Sequence, residues 1–170
     1  MNERFYLTPG GAARLRRRLT AARAAYQAVV DDNPAALESG DTSGWHDNFA
    51  YEENQRQMHQ LARLVRELEA LLGRATVVPL PRTAPDRAIL GSRVRWSYAD
   101  ESEARCCWIS GWDDGDPSYG RVSYNSPLGH ALVGGSPGDA RELKGGGVAR
   151  LVDILDIDLV DPAEDTCAAG

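Results

Sequence analysis

The chain is poor in cysteine, with three in 170 residues and two of them adjacent, Cys106 and Cys107. That number and spacing exclude a disulfide framework and a metal knuckle. The adjacent pair is expected as two small strand residues pointing to opposite faces. No stretch approaches the ~20 apolar residues needed to span a bilayer. The opening Met1-Asn2-Glu3-Arg4-Phe5 lacks a basic segment followed by an apolar run, so a cytoplasmic protein with no membrane contact is expected. His46, His59 and His130 are scattered, without zinc-site spacing. Gly134-Gly135 and the glycines at 145–147 lack the strand-then-helix context of a phosphate loop. No nucleophile–base pairing is visible either, so the chain is not expected to be an enzyme in its own right. A net charge of -6 argues against wrapping nucleic acid, which needs a basic surface.

One further absence is local. Between Arg23 and Arg56 there is no Lys or Arg, but seven carboxylates: Asp31, Asp32, Glu38, Asp41, Asp47, Glu52 and Glu53. Five arginines (Arg14, Arg16, Arg17, Arg18, Arg23) lie toward the base of the first arm, ahead of that stretch. Two apolar patterns flank it and mirror each other. Reading back from Ala36, the stripe is Ala36, Asn33, Val29, Tyr26, Ala22, Leu19, Leu15; reading forward it is Tyr51, Asn54, Met58, Leu61, Val65, Leu68, Leu72. Alternating steps of three and four form the seam of a coiled coil. A fold-back centred near Ser43 and Gly44 brings each mirrored pair face to face and carries the acids to the point.

Helix signals agree with an antiparallel hairpin over residues 1–75. Thr8 can cap the first helix, with Pro9 at its first position; Ser39-Gly40 should end it near Leu37. Pro34 predicts a kink one turn before the tip. Asp47 can cap a second helix running to Leu72 and closed by Gly73. Arms of about 28 residues give a rod of about 40 Å. Asn33 and Asn54 face each other across the seam, and a buried Asn pair is expected to fix register.

After Gly73 the periodicity changes. A Pro-containing linker is expected over 76–85, then β-rich runs at 92–98, 105–112, 120–124 and 148–160, a short helix at 128–133 and a hairpin turn at 144–147. These describe a small twisted sheet with one helix over 86–161, and thus a two-domain α+β protein. Trp96, Trp108 and Trp112 are candidates for its core, with one or two left exposed as a docking surface. Residues 162–170, small and polar, are expected to be disordered.

Three segments carry a family resemblance. Gly40-Asp41 followed by Asp47-Asn48-Phe49-Ala50-Tyr51 resembles the Gre-factor signature Gly-Asp-x-x-Glu-Asn-x-x-Tyr. The run from Tyr124 to Gly134, with Asn125-Ser126-Pro127-Leu128 at its start, is similar to that family's Asn-Ser-Pro segment. Leu7-Thr8-Pro9-Gly10-Gly11 is similar to its opening Leu-Thr-x-x-Gly. The resemblance implies a monomeric factor that binds bacterial RNA polymerase and touches DNA only indirectly. An FKBP-like C-terminal domain would dock at the rim of the secondary channel, with Asn125, Ser126, Pro127 and Leu128 as docking candidates. The coiled coil would bring its tip, residues 41–47, to the active site and the 3′ end of the transcript. There Asp41 and Asp47 would help the polymerase hold Mg²⁺, with no metal bound in isolation; Trp45, His46, Asn48 and Tyr51 would make tip contacts. Mg²⁺ prefers carboxylate and water oxygens, and a second metal activates water for phosphoryl hydrolysis.

The tip departs from the family pattern. Two residues separate the family's acids, whereas Thr42-Ser43-Gly44-Trp45-His46 separates Asp41 from Asp47. Three functions stay open at this point: stimulation of transcript cleavage, channel occlusion without cleavage, and a coiled-coil adaptor with no polymerase role.

Overall fold

The structure, a computed structural model, describes residues 5–38, 47–145 and 147–166; within these spans the side chains of 33–38, 47–50, 148, 164 and 166 are left aside. The elements run β1 (Phe5–Leu7), α1 (Pro9–Glu38), α2 (Asp47–Arg74), β2 (Ala75–Val77), β3 (Ser92–Tyr98), β4 (Arg105–Ser110), β5 (Arg121–Ser123), α3 (Pro127–Leu132), β6 (Ala140–Gly145), β7 (Val148–Leu159) and α4 (Pro162–Thr166). The protein is α+β with two compact units, one spanning Arg14–Arg74 and the other combining Met1–Ala13 with Ala75–Gly170.

In the helical unit the least exposed positions are those of the mirrored stripes. Leu15, Leu19, Ala22 and Leu68 are buried, while Tyr26, Val29, Asn54, Met58, Leu61, Val65 and Leu72 are half-buried. Tyr51, nearest the turn, is exposed. Two contacts establish the antiparallel pairing: Arg23 Nη2 lies 2.6 Å from Glu69 Oε1, and Asn54 Nδ2 donates to the Val29 carbonyl at 3.3 Å. Helix α1 continues through Pro34 to Glu38. The side chain of Asn33 lies outside the description, so the Asn33–Asn54 pair does too. The buried Oδ1 of Asn54 has no partner among the described residues.

The second unit corrects three boundaries expected from sequence. First, the opening residues belong to it, because β1 pairs in parallel with β2 through Phe5↔Ala75, Tyr6↔Thr76 and Leu7↔Val77. The Trp112 N–H also donates to the Tyr6 carbonyl at 2.9 Å, and the Phe5 ring sits 4.6 Å from that of Trp112. Second, the stretch expected as linker from residue 76 begins inside β2. Third, 162–166 are not a disordered tail but α4, whose Asp165 is only 1% exposed. Asp165 Oδ1 accepts the Thr8 hydroxyl at 2.6 Å and Oδ2 accepts the Gly10 N–H at 2.7 Å. Thr8 caps α1 as expected, its Oγ1 accepting from the Gly11 N–H at 3.0 Å.

The main sheet has the order β5-β4-β3-β7-β6; β4–β5 is parallel and the other pairs are antiparallel. One face packs on α3 around Val94, Trp96, Cys107, Ile109, Leu132, Val152, Ile154 and Ile157. Alternation alone would turn Ile157 outward from a strand that points Val152 and Ile154 inward. A register shift opposite Arg95/Trp96 inserts Leu155 as an extra residue, which restores Ile157 to the core and leaves Leu155 42% exposed. Of the tryptophans, Trp96 and Trp108 are buried and Trp112 is half-buried. Cys106 is exposed and Cys107 buried, so the pair does point to opposite faces. Burial pushes the Cys107 thiol up to about 12, opposed in part by the Trp96 side chain.

Two outcomes are expected. Asn54→Leu removes a buried unpaired oxygen and should stabilise the helical unit by about 1 kcal/mol in urea unfolding, with the Arg23–Glu69 pairing retained in a crosslink at those positions. Treatment with iodoacetamide at pH 8 should alkylate Cys106 and leave Cys107 unmodified by peptide mass spectrometry, because a thiol titrating near 12 carries about one part in ten thousand thiolate there.

Candidate functional site

The tip and the Asn-Ser-Pro segment lie in different units and are taken separately. At the tip, Asp41, Trp45 and His46 lie outside the described residues. Asp47 and Asn48 are in it as backbone only, forming the first positions of α2. An acid there suits the positive end of the helix dipole. Tyr51, one turn on, is 37% exposed. The neighbouring acids are not equivalent. Glu53 is engaged by Arg56 at 2.5 Å and by Gln57 Nε2 at 2.9 Å, contacts that hold its carboxyl below the usual carboxylate range. Asp31 accepts from Gln27 Nε2 at 2.7 Å. Glu52 and Asp32 are exposed. Among the described residues no group of three or more His, Cys, Asp or Glu is placed to hold a metal ion.

The Asn-Ser-Pro segment joins β5 to α3, and its polar side chains turn inward. Ser126 caps α3: its Oγ accepts the Gly129 N–H at 3.1 Å and donates to the Ser123 carbonyl at 2.7 Å. Asn125 Oδ1 accepts the Asp113 N–H at 3.3 Å and the Ser123 hydroxyl. That bond helps hold Asp113 at φ 50, in the left-handed region where a side chain is uncommon. Pro127 occupies the first helical position, where its missing N–H costs nothing. Gly129 follows because a Cβ there would lie 2.1 Å from the Ser123 carbonyl oxygen.

Of the four docking candidates, Leu128 therefore packs toward the core, while Asn125 and Ser126 shape the turn. Pro127 is exposed. It borders a pocket of about 560 Å³ also lined by Asn125, His130, Arg141, Glu142 and Lys144. The last three come from β6, which sequence periodicity did not reveal as a strand. The hairpin turn expected at 144–147 was the signal, since a turn there requires a strand before it. The structure joins Lys144↔Ala149 and Gly145↔Val148 across that turn.

The comparisons with known proteins agree with the segments. Over 158 residues the chain is 30% identical to a protein of Rhizobium leguminosarum bv. trifolii named Transcription elongation factor GreA, covering 92% of this chain and 98% of that protein. The chain belongs to the GreA/GreB family. A Brucella anthropi protein of the same name is 28% identical and covers 93% of this chain and 99% of its own. The family model described as "Transcription elongation factor, GreA/GreB, C-term" matches residues 83–159, the part of the GreA/GreB chain that holds the sheet and α3. The crystal structure of GreA factor homolog 1 (Gfh1) of Thermus thermophilus aligns at a TM-score of 0.40 with 22% identity, covering 91% of this chain and 99% of that one. As a GreA/GreB protein the chain is a factor in transcription elongation and not itself an enzyme. No helix among the described residues is long and apolar enough to cross a membrane.

Ser126→Ala should remove the α3 cap and its bond to Ser123, lowering stability by about 1–2 kcal/mol in chemical unfolding. Pro127→Ala, at an exposed site, should change it by less than about 0.5 kcal/mol.

Proposed function

We propose that this GreA/GreB protein regulates elongation by binding bacterial RNA polymerase in its secondary channel, with the coiled-coil tip at the active site. The match to GreA across 92% of the chain carries this reading. The helical hairpin supports it too, because its acid-rich end lies beyond the arginines at the base of its first arm. The pocket beside Pro127 is the proposed docking face. Its wall combines cations (Arg141, Lys144), an acid (Glu142) and an apolar rim, which would suit a partner surface of mixed charged and apolar character.

At the active site Asp41 and Asp47 would add oxygen ligands to a Mg²⁺ that the polymerase holds weakly. The polymerase's own centre would then hydrolyse the 3′ end of a backtracked transcript, since a second metal stabilises charge on the phosphate and activates water. Residues 42–46 between those acids favour a second function for the same tip. The extra chain, with Trp45 and His46 in it, would fill the channel and slow synthesis without cleavage.

Polymerase halted in a backtracked complex at millimolar Mg²⁺ decides between them. Stimulation should shorten the RNA and fall on the order of 100-fold in an Asp41→Ala, Asp47→Ala double variant. Slower synthesis with no shortened RNA, relieved by Trp45→Ala, would establish occlusion instead. Absence of polymerase binding would sink both and leave an adaptor role.

A further inference from the structure

The pocket beside Pro127 holds a cation that the fold leaves nearly unsatisfied. Arg141 stands on β6, the strand at one end of the sheet order, and is half-buried. Its guanidinium reaches only the Val133 carbonyl, at 3.5 Å, beyond the usual range of about 2.7–3.2 Å for such a bond. Among the described residues it forms no ion pair. Taking a charge out of water without a counter-charge is costly. A guanidinium also carries a planar fork of donors that matches a carboxylate. The rest of the lining points the same way. Lys144 Nζ lies 3.2 Å from Glu142 Oε2, so these two offset each other and Arg141 sets the sign of the pocket. Asn125 uses its Oδ1 on Asp113 and Ser123, while its Nδ2 donates to none of the described residues. Pro127 and Ala131 supply an apolar patch beside these donors.

We propose that Arg141 is the specificity-determining contact of this face, and that the pocket takes an Asp or Glu side chain of the polymerase whose apolar neighbour covers Pro127 and Ala131. That assignment rests on the polymerase reading above and gives the partner's contact its charge. A carboxylate in the pocket accepts two parallel bonds from the guanidinium, with Asn125 or Lys144 as a further donor. A basic side chain would meet Arg141 as a like charge in a half-enclosed site.

The test uses the full chain and purified bacterial RNA polymerase core enzyme, with Kd read by biolayer interferometry over a range of KCl concentrations. Arg141→Gln should raise Kd about tenfold or more and flatten its salt dependence. Arg141→Lys, which keeps the charge without the fork, should recover part of that loss. Glu142→Gln, which removes the acid from the lining, should lower Kd about threefold. The urea midpoint should stay unchanged in all three variants. Where Arg141→Gln shifts it, Lys144→Gln takes its place at a side chain 79% exposed, with Kd expected to rise about threefold. Lys144 is the only lysine of the chain, so carbodiimide coupling in the complex reports that side chain. Peptide mass spectrometry should find it joined by an amide bond to an Asp or Glu of the polymerase. Coupling confined to acids of this chain, or an unchanged Kd in Arg141→Gln, overturns the acidic contact and leaves the channel reading standing. Tighter binding by Arg141→Gln with weaker binding by Glu142→Gln does the same, because the partner's contact would then be basic. Absence of binding by the unaltered chain overturns the contact and the channel reading together.

Discussion

The parallel pairing of β1 with β2 is the constraint on which the fold depends. These two strands precede α1 and follow α2, so pairing them closes the chain on either side of the helical hairpin. Parallel neighbours need a long crossover, and the whole hairpin serves as that crossover. Along the arms, Leu15, Leu19, Ala22 and Leu68 form the buried part of the seam.

The same economy governs the Asn-Ser-Pro segment. Asn125 and Ser126 belong to the motif that relates the chain to its family, yet their polar atoms are engaged by Ser123, Asp113 and Gly129. They build a rigid turn that presents Pro127 beside the charged face of β6. A motif of this kind marks the place of a surface without supplying all of it. The side chains that give the pocket its charge, Arg141, Glu142 and Lys144, come from elsewhere in the chain.

Much of this was legible in the sequence because the helical stripes and strand alternation are period signals spread over many residues. Helix α2 was expected from Asp47 to Leu72 and ends at Arg74; β3 was expected at 92–98 and spans Ser92–Tyr98. What escaped was short or long-range. Strands β1 and β2 have three residues each, too few for alternation to register. The role of Asp165 depends on a partner 155 residues away at Gly10; its composition suggested only a polar tail. The extra residue at Leu155 breaks alternation within β7, and only the pairing with β3 reveals it. At the tip, residue types could be named but their geometry could not be read, because a polar turn has no period.

A hairpin closed at its base has a consequence for how such a protein diversifies. Strands β1 and β2 pair on either side of the hairpin segment and a buried seam runs between its arms. Lengthening a turn costs slowly, about 0.6 kcal/mol for each doubling of its length. Three residues beyond the family spacing between Asp41 and Asp47 thus perturb the scaffold by only tenths of a kcal/mol. Changes in the length and composition of residues 42–46 can therefore be accommodated at little cost to the paired strands and the seam.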